Sequence, residues 1–179
     1  MSWLRKLFGG RGNMAALTAG TAAPEFSLST IDGQKFDLKD ALARGPVVVF
    51  FFKISCPVCQ YTAPFVERVY QAARNSNVTI VGISQDKVRD TKLFLQEFGG
   101  SYPVLIDDAA TGYQVSSAYG LTNVPTIFWI GQDGEIEISS VGWSKAEVEQ
   151  IHGKIAEFKG DGHVPLFKPG EDVRDFRAG

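Results

Sequence analysis

The sequence predicts an α/β domain, a three-layer sandwich in which a mixed central sheet is flanked by helices. Short, almost wholly apolar runs such as Val47-Val48-Val49-Phe50-Phe51-Phe52 alternate with longer amphipathic ones. That is the pattern of strands buried on both faces by crossover helices. The turn Gln132-Asp133-Gly134 is too short for a crossover and joins the last two strands as an antiparallel hairpin, so the sheet is mixed.

Taken in order, Phe26-Ser27-Leu28-Ser29 and Lys35-Phe36-Asp37-Leu38 alternate apolar and polar residues on either side of Asp32-Gly33, which predicts an N-terminal β-hairpin. Leu38 to Ala43 is expected to make one helical turn, closed by Gly45-Pro46. Strands are expected over 47–52, 78–83, 103–106, 126–130 and 135–139, and helices over 57–74, 87–98, 111–118 and 144–158. From Lys159 on, four glycines and two prolines break any periodicity, yet Val164, Leu166, Phe167 and Phe176 are too apolar for a linker. The expected organisation is a flexible lead-in over 1–19, one domain over 20–158 and an extended tail over 159–179 that docks on it.

A chain of 179 residues with 44% hydrophobic content suits one well-packed domain. The formal charge of −2, with no long run of one sign, argues against a nucleic-acid partner. Residues 1–8 carry positive charge, but Gly9, Gly10 and Gly12 interrupt the apolar run that a secretory signal needs, and no run reaches the roughly 18 residues of a membrane span. A cytoplasmic location is therefore expected. The sharper reading of residues 1–8 is a basic amphipathic foot that touches a membrane surface.

The only two cysteines stand in Cys56-Pro57-Val58-Cys59, directly after the first apolar run. A zinc site needs four ligands, and beyond the pair only His152 and His163 are offered, both in the last quarter of the chain. Covalent haem attachment needs histidine after the second cysteine, where Gln60 stands. A structural disulfide across so short a loop gains little entropy. No metal and no organic cofactor is expected, and a redox dithiol remains. Pro57 suits the first helical position, which makes Cys56 the expected N-cap, facing unpaired amides and the positive end of the helix dipole. Cys59, one turn further in, is expected to be more buried. The roles follow: Cys56 attacks a substrate disulfide and Cys59 resolves the mixed disulfide.

The strand, the Cys-x-x-Cys pair, Pro64 eight residues after Cys56, and the distant Val124-Pro125-Thr126 before Ile127-Phe128-Trp129-Ile130 together resemble the thioredoxin superfamily. The opening Ala23-Pro24-Glu25-Phe26-Ser27-Leu28 with Asp32-Gly33-Gln34, and Gly82-Ile83-Ser84 ending a strand, resemble its redoxin branch, which holds the peroxiredoxins and the TlpA/ResA-like thiol-disulfide oxidoreductases. The resemblance covers residues 20 to 158. It implies a thioredoxin-like fold, a cis Pro125 facing the dithiol, and a substrate platform at Val124 and Pro125 beside Pro57 and Val58. Trp143, after Gly142, stands in a loop that often borders the dithiol in this superfamily; it is expected either to face substrate or simply to pack. The implied partners are a protein or small-molecule disulfide and an upstream thiol reductant.

Two departures qualify the resemblance. Peroxiredoxins carry proline and threonine or serine where this chain has Val49 and Lys53, so a peroxidase with Cys56 as peroxidatic thiol is the alternative, and a non-catalytic binding module is a third reading. Thioredoxins bury an aspartate where Phe50 stands and place tryptophan at Ser55, so no proton acceptor for Cys59 is visible. Tyr61 is ambiguous, and His152 is expected to be solvated or lightly packed.

Overall fold

The computed structural model describes residues 15–162 and 164–179. Residues 1–14 of the lead-in expected over 1–19, including the membrane foot at 1–8, lie outside the described residues. Residues 15–19, expected within that lead-in, are attached to the domain. The Leu17 amide donates to Tyr119 O at 3.1 Å and its carbonyl accepts from Ser139 Oγ at 2.6 Å.

The hairpin forms as expected, with β1 (Ser27–Ser29) antiparallel to β2 (Lys35–Asp37) and the Gly33 amide closing the turn on Thr30 O at 2.9 Å. Asp37 then caps the short helix α1 (Leu38–Leu42) by accepting from the Asp40 amide. The chain continues through β3 (Val47–Phe52), α2 (Pro57–Ala73), β4 (Thr79–Ser84), α3 (Val88–Phe98) and β5 (Val104–Ile106). After α4 (Gln114–Ala118) come β6 (Thr126–Ile130), β7 (Ile136–Val141), β8 (Trp143–Ser144), α5 (Lys145–Lys159) and β9 (Phe176–Arg177).

The main sheet runs β5-β4-β3-β6-β7, parallel across β5, β4 and β3 and antiparallel across β6 and β7. Strand β3 is central and all six of its residues are buried. Its side chains alternate between two cores, as the two-residue period of a strand requires. Val48, Phe50 and Phe52 pack with Phe65, Val66 and Val69 of α2, Phe94 of α3 and Ile151 and Ile155 of α5. Val47, Val49 and Phe51 pack with Leu38 of α1, Phe26 and Tyr119. This double burial explains why the strand reads as a continuous apolar run. Parallel pairing brings the C-terminal ends of β3 and β4 to the same edge, where the loop carrying Cys56 emerges.

The helix expected over 111–118 is instead a 3₁₀ turn at Ala109–Thr111 followed by α4. Gly112 and Tyr113, at φ of 71° and 53°, break it. The fully buried Asp107 supplies the start of α4 from outside the helix, accepting from the Ser116 amide and Ser116 Oγ, each at 2.7 Å, and from the Val115 amide at 3.3 Å.

Helix α5 ends at Gly160, whose left-handed φ of 72° no side chain adopts easily. The tail packs against the domain through part of its apolar set. Leu166, Phe167 and Val173 are buried, whereas Val164 and Phe176 are 66% and 63% exposed. Strand β9 pairs with β8, so the docked segment is anchored by backbone as well as by side chains. Arg68 on α2 holds the tail through a two-pronged pair with Glu171, at 2.9 and 2.6 Å. These bonds from Arg68, with the Lys168 amide, pull the Glu171 pKa down from 4.5 to about 2. A carboxylate whose folded pKa is depressed supports the docked state above its unfolded pKa and loses that support as pH falls through the folded one. Arg68→Ala should therefore speed amide exchange over residues 168–177 at neutral pH, and the gap from the unsubstituted chain should close as pH falls from 4.5 toward 2.

Candidate functional site at the Cys56–Cys59 dithiol

Cys56 is the N-cap of α2, with an extended backbone (φ −86°, ψ 114°) and Pro57 at the first helical position. Its Sγ accepts the Cys59 amide at 3.1 Å, taking one of the donors that a helix start leaves without a partner. The same sulfur donates its thiol hydrogen to Val124 O at 3.3 Å, from the loop before β6. The Val124–Pro125 bond is cis, and Pro125 is buried while the Val124 backbone borders the thiol. Cys56 is partly exposed and Cys59 fully buried, both as free thiols. Pro57 is exposed and Val58 half-buried, so both reach the surface next to Cys56.

Burial pushes the Cys59 thiol well above the ordinary cysteine range, and its hydrogen bond with Cys56 adds to this. A Lys53 backbone contact opposes the rise, while negative charge at Cys56 or Asp86 reinforces it. The two sulfurs are thus chemically unequal: one is presented to solvent at a helix N-terminus, the other is held protonated in the core.

Asp86 is the residue that sequence reasoning missed. Its half-buried carboxylate accepts the Ile54 amide at 2.8 Å, while Gln60 Nε2 donates to Ile54 O at 2.9 Å. Both faces of the Lys53–Ser55 loop are therefore clamped, which fixes where Cys56 leaves β3. The position after β4 was the available signal, because Phe52 pairs with Ser84 and the two strand ends are adjacent. Lys53 itself is exposed.

Trp143 is corrected from a candidate substrate contact to a packing residue. It has no exposed surface, packs against Phe65 at 4.7 Å between ring centroids, and donates from Nε1 to Arg174 O at 2.6 Å. Tyr61 is resolved likewise, its hydroxyl accepting the Arg174 amide at 3.0 Å. His152 is not solvated: it is 8% exposed, with Nε2 at 2.7 Å from Val164 O.

The profile of the AhpC/TSA family matches residues 19–139, a span that holds the hairpin, the dithiol and Pro125. The chain belongs to the AhpC/TSA family. Its AhpC/TSA-type domain is similar to the thiol-disulfide oxidoreductase ResA of Bacillus thuringiensis (strain Al Hakam), at 28% identity over 151 residues, 84% of this chain and 79% of the relative. A solved thiol:disulfide interchange protein of the thioredoxin family from Chlorobium tepidum TLS superposes with a TM-score of 0.64 at 28% identity, covering 79% of this chain and 99% of that one. The peroxidoxin BcpB of Mycobacterium tuberculosis superposes with a TM-score of 0.65 at 24% identity, covering 79% and 97%, a likeness of fold alone. The thioredoxin-like fold is thus established. Because it also houses a peroxidoxin, the fold leaves the chemistry to the residues around Cys56.

Proposed function

We propose that this chain is a thiol-disulfide oxidoreductase acting through Cys56 and Cys59. The observation that carries the proposal is the inequality of the two thiols: Cys56 Sγ is half-open at a helix N-terminus, while Cys59 is sealed beneath it within hydrogen-bond reach. A sulfur anion at a helix N-terminus is favoured by the helix dipole and by free amides. Cys56 as thiolate attacks one sulfur of a substrate disulfide and expels the other as a thiolate, giving a mixed disulfide. Cys59, once its proton is lost, attacks Cys56 Sγ and releases the remaining substrate sulfur. The substrate gains two electrons and the chain is left with a Cys56–Cys59 disulfide, which an upstream thiol reductant restores. A cytoplasmic setting is part of the same proposal, and in it net reduction of protein or small-molecule disulfides is the expected direction.

The peroxidase reading finds less support around the thiol. Val49, at the family's proline position, lies in the core on the face opposite Phe50, and Lys53 supplies no hydroxyl. The nearby Thr126 and Thr62 hydroxyls are committed to Asn123 O and Val58 O. Stopped-flow mixing of reduced protein with a small disulfide, and separately with hydrogen peroxide, tests the proposal. Faster oxidation by the disulfide is expected. Rapid oxidation by peroxide with none by the disulfide would reject it, and inertness toward both would leave a binding module.

A further inference from the structure

The C-terminal tail ends against the same carbonyl that receives the Cys56 thiol. Residues 174–179 follow the buried anchor Val173 and run past β8 and Tyr61 to the loop before β6. Asp175 O accepts the Lys145 amide at 2.9 Å, Phe176 and Arg177 pair with Ser144 and Trp143, and the Arg177 guanidinium stands 4.8 Å from the Tyr61 ring centroid. At the end, Asn123 Nδ2 donates to Gly179 O at 3.0 Å. A Cβ placed on Gly179 would fall 2.5 Å from Val124 O, and one on Gly142 would fall 2.6 Å from Arg177 O. Only bare backbone fits at these two crossings. The tail therefore lies on the Asn123–Val124 and Gly142 backbone, alongside the carbonyl that is 3.3 Å from Cys56 Sγ.

The tail is held unevenly. Upstream, Leu166, Phe167 and Val173 are buried and Arg68 grips Glu171. Downstream, Phe176 is 63% exposed, Ala178 and Gly179 are exposed, and the β8–β9 ladder is two residues long. So short a ribbon is marginal by itself. The strand from Phe176 on can thus lift while Arg174, bonded through its carbonyl to Trp143 Nε1 and through its amide to the Tyr61 hydroxyl, stays with the anchor and keeps Trp143 covered.

We propose that residues 176–179 are a specificity element: they occupy the edge on which a polypeptide would lie beside Cys56, so the resting protein favours small disulfides, and a protein disulfide enters only by displacing the last strand. This rests on the thiol-disulfide reading. Two features fit it. Cys56 keeps partial exposure with the tail in place, enough for a small reagent to reach it. A polypeptide strand, by contrast, needs the backbone groups and the space that the tail fills.

The test compares oxidation of the reduced 179-residue chain by insulin and by hydroxyethyl disulfide, before and after loosening the tail. Arg177→Pro removes a strand amide and the contact over Tyr61, and Asn123→Ala removes the amide that holds Gly179. Each should raise the insulin rate relative to the small-disulfide rate, by roughly fivefold or more if the open fraction limits entry. An unchanged ratio in both variants, or a fall in the insulin rate, overturns the proposal. If the unsubstituted chain reacts with neither disulfide, the thiol-disulfide reading itself fails, and a second readout then decides the tail. In the Cys59→Ser background, labelling of Cys56 by a polyethylene-glycol maleimide relative to iodoacetamide should rise on loosening; no rise rejects an occupied edge.

Discussion

Replacing Cys56 with serine is expected to lower disulfide reduction by at least about a thousandfold, because the attacking sulfur is lost and no second nucleophile can reach the surface. Cys59 cannot substitute: it has no exposed surface, and burial holds its thiol protonated. The reciprocal change separates the roles. Cys59→Ser leaves Cys56 able to attack but removes the resolving thiol, so a mixed disulfide should accumulate at position 56 and turnover should stop after one event. Mass spectrometry of the intact adduct, followed by peptide mapping, reads the site directly. An adduct on Cys59 in the Cys56→Ser protein would reverse the assigned roles. Serine is nearly isosteric with cysteine, and the Cys59 amide keeps an acceptor when a serine hydroxyl replaces the Cys56 sulfur, so the start of α2 should survive the first substitution.

The reduced protein should lose stability steeply above pH 9, and the oxidised protein less so. Burial raises the ionisation of Cys59 from an ordinary value of 9.0, and that of Tyr102 and Tyr119 from 10.0. All three are acids whose folded pKa exceeds the unfolded one. Their stabilising contribution is therefore complete below the unfolded values and drains away as pH rises, since only the unfolded chain then ionises. Each such group costs about 1.4 kcal/mol per pH unit beyond its unfolded pKa. By pH 11 Cys59 has passed two units and each tyrosine one, a loss of roughly 5.6 kcal/mol, comparable to the whole stability of many domains. In the disulfide form Cys59 has no proton to lose, so the loss shrinks to about 3 kcal/mol. Urea midpoints at pH 8 and pH 11 in both redox states measure the difference. Equal losses in the two states would mean that Cys59 ionises normally in the folded chain.

The sheet was legible because β3 and β6 are buried on both faces and must be apolar throughout, and because Asp32-Gly33 and Gln132-Asp133-Gly134 leave the chain no alternative to turning. The N-cap at Cys56 was legible for a similarly local reason, since Pro57 has no amide to leave unpaired. The break at Gly112–Tyr113 was not, because it depends on the Asp107 carboxylate reaching α4 from the end of β5. Trp143 stood between two readings and His152 was misplaced, for one shared reason. Whether a side chain beyond the sheet is covered depends on what the tail does, and the tail's glycines and prolines carry no period to follow.

The sequence alone thus determined the fold class and the place of the Cys56–Cys59 pair at a strand-to-helix junction, both written in short-range patterns or paired motifs. Only the tertiary structure decided what surrounds them. Asp86 meets Ile54 across adjacent strand ends, Val124 O meets Cys56 across 68 residues, and residues 174–179 settle on the Gly142 and Val124 backbone. Such contacts depend on which strand ends, loops and tail segments the packing brings together, and partners so far apart along the chain leave no local pattern to read.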